Sequence, residues 1–131
     1  MAGKSADNIG FQSGGFSVAW QGTDGNEHVE GGTSIWQGIQ AASPDAEFSE
    51  DGSAADAGRH RVAVVVIGER PYAEGMGDVR PPGVDVKRGS SLSTPGAGRM
   101  DPYGTTLEHA VSHPEDLAVL KRISEAGIPI V

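Results

Sequence analysis

At 131 residues the chain has room for one domain at most, and it contains 20 glycines, 8 prolines and only 37% hydrophobic residues. This composition predicts a small ordered core joined by long irregular connections. The net charge of −8, without a Lys/Arg cluster, excludes a nucleic-acid partner, and no apolar run approaches the length of a membrane span.

Phe16, Val18 and Trp20 alternate near the start of the chain. A spacing of two predicts an extended segment that shows three apolar side chains to one side. Aromatic rings flanked by amides and small residues suit sugar binding, because a ring covers the apolar face of a pyranose while amides bind its hydroxyl groups. Packing of Phe16 and Trp20 in the core is an equally good interpretation of this pattern.

The next predicted elements are a short helix and a buried strand. The helix covers residues 33–42, with Thr33 as its N-cap and Pro44 after its end. Residues 62–67 form a continuous, largely β-branched run, which predicts a strand buried on both faces of a parallel sheet. The loop that begins at Gly68 would then lie at the carboxyl end of that strand, where α/β sheets bind their ligands.

The last third of the chain combines a long loop with the clearest helix pattern. Residues 79–106 are rich in proline and glycine and have almost no hydrophobic periodicity, which predicts a long irregular loop. Ser112 and Glu115 have the spacing of a capping box, and Pro114 stands in the first turn of the helix that would follow. That helix would end at Gly127.

The order of these elements predicts the fold class. Leu117, Leu120 and Ile123 give the last helix a core face. Strand, crossover, helix and a final apolar strand make a right-handed βαβ unit. We therefore expect one incomplete α/β domain over residues 1–131, with a mostly parallel sheet and helices on both of its faces.

A glycine-punctuated loop over residues 68–78 carries the most chemistry. It holds three carboxylates, one arginine and one tyrosine directly after the predicted strand. Cleavage of a glycosidic bond needs two carboxyl groups, one to protonate the leaving oxygen and one to act as nucleophile or base. On composition alone a solvated acidic loop is the commoner interpretation, because carboxylates with perturbed pKa values are a minority on protein surfaces.

The histidines and glycines predict neither a metal site nor a nucleotide site. Only His109 and His113 have helical i, i+4 spacing, and the sequence shows no third ligand for that pair. The glycines match no phosphate-binding pattern of the GxxxxGK[ST] type. We therefore expect no metal and no other cofactor.

Four stretches of the chain resemble the sequence motifs of one known family. They are AGKSADNIGFQSGGFSVAWQG (2–22), TSIWQGIQAA (33–42), VAVVVIGERPYAEGMGD (62–78) and DLAVLKRISEAGIPIV (116–131). In this order they resemble the second, C-terminal domain of family 3 glycoside hydrolases of the β-glucosidase and exo-β-glucan glucohydrolase type, over about half of the chain. The resemblance implies a flavodoxin-like domain that is truncated at both ends, from a parent enzyme that is periplasmic or secreted.

The resemblance also implies a retaining hydrolase of terminal β-D-glucosyl residues, whose N-terminal barrel carries an aspartate nucleophile. The general acid/base then falls on Glu74, the second glutamate of the GE-x-PY-x-E-x-x-GD loop, with Glu69 as the fallback. Trp20 corresponds to the aromatic clamp at the outer sugar subsite, and Phe16 stands where a second tryptophan is usual. The implied partners are a β-glucoside or β-glucan oligosaccharide and the barrel domain, and the chain alone is expected to be inactive.

Residues 79–106 depart from the family, because they form a longer connection than is usual at this place. With strand residues missing at both ends, we expect marginal stability of the isolated chain. Two other functions remain open. One is a stand-alone carbohydrate-binding module that uses Phe16, Trp20 and residues 68–78, which we call the glutamate loop. The other is an unrelated flavodoxin-like domain that binds a nucleotide, against which the missing phosphate loop argues.

Overall fold

A computed structural model describes residues 1–73, 76–77, 79 and 103–131. Four helices lie within these residues: α1 (Ile9–Ser13), α2 (Ile35–Ala42), α3 (His109–Ser112) and α4 (Pro114–Glu125). Turns and irregular backbone make up most of the remaining described residues. No helix among them is long and apolar enough to cross a membrane. Most of the predicted 79–106 loop lies outside the described residues.

Helix α2 begins at a capping box. Gln37 N–H donates to Ser34 Oγ at 3.1 Å, and Ser34 N–H donates to Gln37 Oε1 at 3.0 Å. The N-cap is therefore Ser34, one residue after the predicted Thr33, and the predicted end of the helix at residue 42 is confirmed. Trp36, on this helix, stacks on Phe48 with ring centroids 5.4 Å apart.

Helix α4 starts with Pro114 in its first position, where the missing N–H leaves no helical hydrogen bond unmade. The predicted capping box is wrong, because Ser112 is the last residue of α3. His113 occupies the N-cap position of α4, and within the described residues its side chain makes no capping hydrogen bond. Gly127 follows the helix with a φ of 75°, which confirms the prediction that this glycine ends the helix.

A small cluster of buried apolar side chains lies among the described residues, and we call it the apolar core. It consists of Ala2, Ala63, Val119, Ile123 and Ile128. Val119 and Ile123 lie one turn apart on the same face of α4, and Ile123 is only 2% exposed. Leu117 and Leu120 are only partly buried, so the core face of α4 is rotated away from the predicted one.

The predicted parallel sheet is absent from the described residues, which contain isolated parallel bridges instead. The bridges pair Ala2 with Val65, Ala63 with Ile130, and Val79 with Gly104. The α/β fold class, with a mostly parallel sheet and helices on both faces, is therefore wrong. The described part of the chain is mostly irregular, with short helices around a small apolar core.

Local backbone features explain why residues 62–67 do not become the centre of a sheet. Gly3 has a φ of 100°, and its N–H donates to Glu50 O at 2.8 Å, so it interrupts the ladder between the bonds that Ala2 and Ser5 make to residues 64–66. On the other side Pro129 has no N–H to donate. Val62 is 51% and Ile67 37% exposed, so the run is not buried on both faces.

Candidate functional site

Residues 15–21 form consecutive turns and bends, so the prediction of an extended segment is wrong. Phe16 N–H donates to Trp20 O at 3.0 Å. Phe16 has a φ of 58°, a conformation that costs a residue with a side chain about 1 kcal/mol or more. The turn leaves Phe16 67% and Trp20 53% exposed, which rules out core packing for both rings.

This turn packs against the loop that follows residues 62–67. A Cβ on Gly15 would lie 2.1 Å from Tyr72 O, so glycine is needed for the close approach of the two backbones. Ala73 N–H donates to Gln21 Oε1 at 2.8 Å. The first and third motifs therefore contact each other through Gly15 and Gln21, in the turn that exposes Phe16 and Trp20.

Glu69 is exposed at the beginning of the glutamate loop. Tyr72 OH donates to Glu69 Oε2 at 2.9 Å, and this hydrogen bond raises the pKa of Tyr72 above its ordinary value. Glu74, the predicted general acid/base, lies outside the described residues. Glu69 is thus the one carboxylate of the 68–78 loop that the structure describes.

A polar cluster beside this loop was not predicted from the sequence, and we call it the Lys4 cluster. It consists of Lys4, Tyr103, His109, His113, Glu115 and Asp116. Lys4 Nζ lies 2.5 Å from Glu115 Oε1 and 3.3 Å from Asp116 Oδ2. Asp116 is only 1% exposed, so the ammonium group supplies charge compensation that water cannot.

Each histidine of the Lys4 cluster has a carboxylate at one ring nitrogen. His109 Nε2 lies 2.7 Å from Asp116 Oδ2, and His113 Nδ1 lies 3.3 Å from Glu115 Oε1. The two imidazole rings lie side by side, with centroids 4.6 Å apart. The helical spacing of the pair was visible in the sequence, but the carboxylates that orient the rings were not singled out.

Tyr103 connects the Lys4 cluster to the glutamate loop. Its hydroxyl accepts the N–H of Arg70 at 3.1 Å and lies 3.3 Å from His113 Nε2. Its ring packs against Tyr72 with centroids 4.9 Å apart. Burial raises the pKa of Tyr103 above its ordinary value, so the hydroxyl stays protonated through the neutral range.

The structure also brings a third potential metal ligand to the histidine pair. One carboxylate oxygen of Glu69 and one ring nitrogen each of His109 and His113 lie within 4.8 Å of one another. The prediction of no metal site depended on the lack of a third ligand near these histidines in the sequence. Glu69 comes from the glutamate loop, far from the pair along the chain but close to it in space.

Comparison with known proteins assigns no family to this chain. No family model matches it, and no curated protein is significantly similar to it. The motifs that resemble family 3 glycoside hydrolases therefore remain a resemblance.

Proposed function

We propose that this chain contributes one half of the active site of a retaining β-glucosidase or exo-β-glucanase, which removes terminal β-D-glucosyl residues. Its half consists of the general acid/base glutamate and a sugar-facing aromatic surface, while a separate barrel domain carries the nucleophile. The supporting observation is that the turn at residues 15–21, which exposes Phe16 and Trp20, packs on residues 71–73 through Gly15 and Gln21.

In this proposal Glu74 acts twice. It first protonates the glycosidic oxygen while an aspartate of the barrel attacks the anomeric carbon and forms a glycosyl ester. It then removes a proton from the water that breaks this ester, so the product keeps the β configuration. The two carboxyl groups of such a pair lie about 5–5.5 Å apart. Glu69 is the alternative donor, and its Oε2 already accepts a hydrogen bond from Tyr72.

The barrel has a second role in this proposal, which is to tune the acid. A glutamate in solvent is mostly ionised at neutral pH and is a poor proton donor. Burial against the barrel and the bound sugar would raise its pKa and keep the carboxyl group protonated. The same burial would cover Phe16 and Trp20, whose exposed rings offer apolar faces to a pyranose.

The test supplies a family 3 barrel domain as a separate polypeptide. We expect neither chain alone to hydrolyse 4-nitrophenyl β-D-glucopyranoside, whereas the mixture should hydrolyse it. NMR of the anomeric proton should show that the product first released has the β configuration. Glu74→Gln should slow hydrolysis of phenyl β-D-glucopyranoside, a poor leaving group, by about a hundredfold or more. It should slow the first chemical step on the 2,4-dinitrophenyl glucoside much less, because that phenol leaves without protonation.

Glu69→Gln is the matched control, and it should change both rates by less than about threefold because Glu69 would not transfer the proton. The assignment of Glu74 is wrong if Glu69→Gln produces the loss and Glu74→Gln does not. Hydrolysis by the unmixed chain at ordinary enzyme rates would contradict the missing nucleophile. A mixture that stays inactive would contradict the proposed half site itself.

The exposed rings favour one second candidate, a stand-alone carbohydrate-binding module. A module would bind a short β-glucan without any barrel, with a dissociation constant in the millimolar range or tighter. Trp20→Ala should then abolish binding, whereas Trp36→Ala, which removes a ring that stacks on Phe48, should not. Isothermal titration with laminaribiose separates the two candidates, because the half-site proposal predicts no measurable binding by the chain alone.

A further inference from the structure

Two histidines and a glutamate converge between α3 and the start of the glutamate loop. Their three potential ligand atoms, one each from Glu69, His109 and His113, lie within 4.8 Å of one another. Ligands about 2.0–2.2 Å from a tetrahedral metal ion are about 3.3–3.6 Å apart, so small side-chain rotations would close this set. Glu69 is exposed and His109 is half-buried, which leaves room for such rotations.

His109 has the surroundings of a metal-ligating histidine, because Asp116 Oδ2 lies 2.7 Å from its Nε2. A carboxylate at one ring nitrogen holds the proton there and leaves the lone pair on the other nitrogen. His113 Nδ1 lies 3.1 Å from Lys4 Nζ and 3.3 Å from Glu115 Oε1. Ligation through His109 Nδ1 would preserve the contact with Asp116. Ligation through His113 Nε2 would place the ring proton on Nδ1, facing Glu115, with Lys4 held by Glu115 and Asp116 alone, and would replace the contact between His113 and Tyr103.

Charge favours a cation at this place. Glu69, Glu115 and Asp116 contribute three negative charges, and Lys4 and Arg70 contribute two positive charges, which leaves a net charge of −1. Lys4 Nζ already occupies the centre of a second group, formed by His113 with Glu115 and Asp116. The ammonium group takes the place of a cation there, so the group that contains Glu69 is the one left for a metal ion.

We propose that Glu69, His109 and His113 form a binding site for a divalent transition-metal ion such as Zn²⁺. Two imidazoles and one carboxylate are ligands that Zn²⁺ and Co²⁺ accept readily, whereas Mg²⁺ and Ca²⁺ prefer sites made entirely of oxygen. A fourth position stays open to water. The bound ion would link Glu69 to the two histidines at either end of α3. The site itself does not depend on the proposed glycosidase function.

Metal binding can be measured on the whole chain at pH 7.5 by isothermal titration with ZnCl₂ and by the visible absorption of added Co²⁺. We expect one ion per chain and the intense absorption band of tetrahedral Co²⁺. His109→Gln, His113→Gln and Glu69→Gln should each weaken binding by about tenfold or more, and Asp116→Asn by about tenfold to a hundredfold. MgCl₂ and CaCl₂ should not compete.

The controls use histidines in other parts of the fold. His28→Gln and His60→Gln, which lie beside Glu27 and Glu47, should change the affinity by less than about twofold because they supply no ligand. Tyr103→Phe should leave binding unchanged or tighter, since the ion displaces that hydroxyl. Unfolding midpoints of all variants without metal identify any loss that comes from misfolding, and exposed Glu69 is the substitution least able to disturb the fold.

Three results would overturn this proposal. One is the absence of Zn²⁺ and Co²⁺ binding by the folded chain. Another is a Glu69→Gln variant that binds as tightly as the original chain, which would leave only a two-histidine surface contact. The third is equal weakening by His60→Gln, which would indicate unspecific binding. None of these readouts requires a barrel domain or a sugar, so the result is independent of the glycosidase test.

Discussion

Helix α4 is held near its two ends by different kinds of interaction. Its later turns place Val119 and Ile123 in the apolar core, at 7% and 2% exposure. Its first turn places Asp116, at 1% exposure, in the Lys4 cluster. Burial is thus similar in the two regions, but apolar contacts are non-directional and barely sensitive to pH, whereas the polar cluster depends on geometry and protonation.

The first segment of the chain belongs to both regions. Ala2 lies in the apolar core, and Lys4, two residues later, is the centre of the Lys4 cluster. Gly3 joins them with its positive φ, while its backbone lies against Val66. Because the apolar core is small, the fold needs the polar contacts of the Lys4 cluster as well. The backbone conformation of Gly3 positions the chain for both regions.

Gly3→Ala should therefore have the largest effect, because it breaks both regions at once. A Cβ at residue 3 would lie 2.1 Å from Val66 O, and the φ of 100° disfavours any side chain. We expect the free energy of unfolding in urea to fall by at least about 3 kcal/mol. A Cβ on Gly38 of α2 meets no described atom within 4 Å, so Gly38→Ala should instead stabilise by about 0.5–1 kcal/mol. A loss below about 1 kcal/mol in Gly3→Ala would show that this backbone is not fixed.

Ile123→Ala tests the apolar core alone. Truncating a side chain that is 2% exposed removes buried methyl groups and leaves a cavity, which should cost about 3 kcal/mol. The same loss is expected at 0.1 and 1 M NaCl, since no charge changes. Leu107→Ala, at a position 89% exposed, should cost less than about 0.5 kcal/mol. A salt-dependent loss in Ile123→Ala would mean that the core and the Lys4 cluster are coupled.

Lys4→Met tests the Lys4 cluster alone. Methionine keeps most of the apolar stem but leaves the buried carboxylate of Asp116 without its ammonium partner. Removing one side of a buried pair costs about 3–5 kcal/mol, and we expect about 2 kcal/mol because Lys4 is 17% exposed and His109 still contacts Asp116. Lys121→Met, at an exposed position of α4, is the control and should cost less than about 0.5 kcal/mol. Equal losses in the two variants would remove Lys4 from any stabilising role.

The contrast between local and long-range interactions explains what the sequence predicted. Helix α2 and helix α4 were predicted within a few residues, because caps, apolar spacing and glycine stops act over one or two turns. The capping box at Ser112 failed because α3 ends there. The sheet failed because an apolar run such as residues 62–67 does not show which neighbours will pair with it, and both neighbours pair at isolated bridges.

The same distinction between local and long-range interactions separates the two candidate sites. The motifs put Trp20 and Phe16 in one predicted site with the glutamate loop, and the structure places their turn against that loop. The Lys4 cluster could not be predicted, because Lys4 meets Asp116 and Glu115 only after the chain has folded. Asp116 was a polar residue in the first turn of a helix, where acidic residues are common, so nothing in the sequence indicated its burial.

The pH dependence of Glu115 gives the smallest effect and the finest test of the contrast. Its hydrogen bond from Lys4 lowers the pKa of Glu115 from 4.5 to about 2. Because the folded-state pKa is the lower one, ionised Glu115 stabilises the fold fully above about pH 4.5, and this contribution is lost as the pH falls from 4.5 through 2. The side chain is 54% exposed, so Glu115→Gln should cost only about 0.5–1 kcal/mol at pH 7. Urea unfolding of both chains between pH 7 and pH 2 should show this difference shrinking to a small part of its value at pH 7, while the loss from Ile123→Ala stays constant. A Glu115→Gln penalty that is undiminished at pH 2 would mean that packing, not charge, holds the first turn of α4. The apolar core and the Lys4 cluster would then respond to pH in the same way.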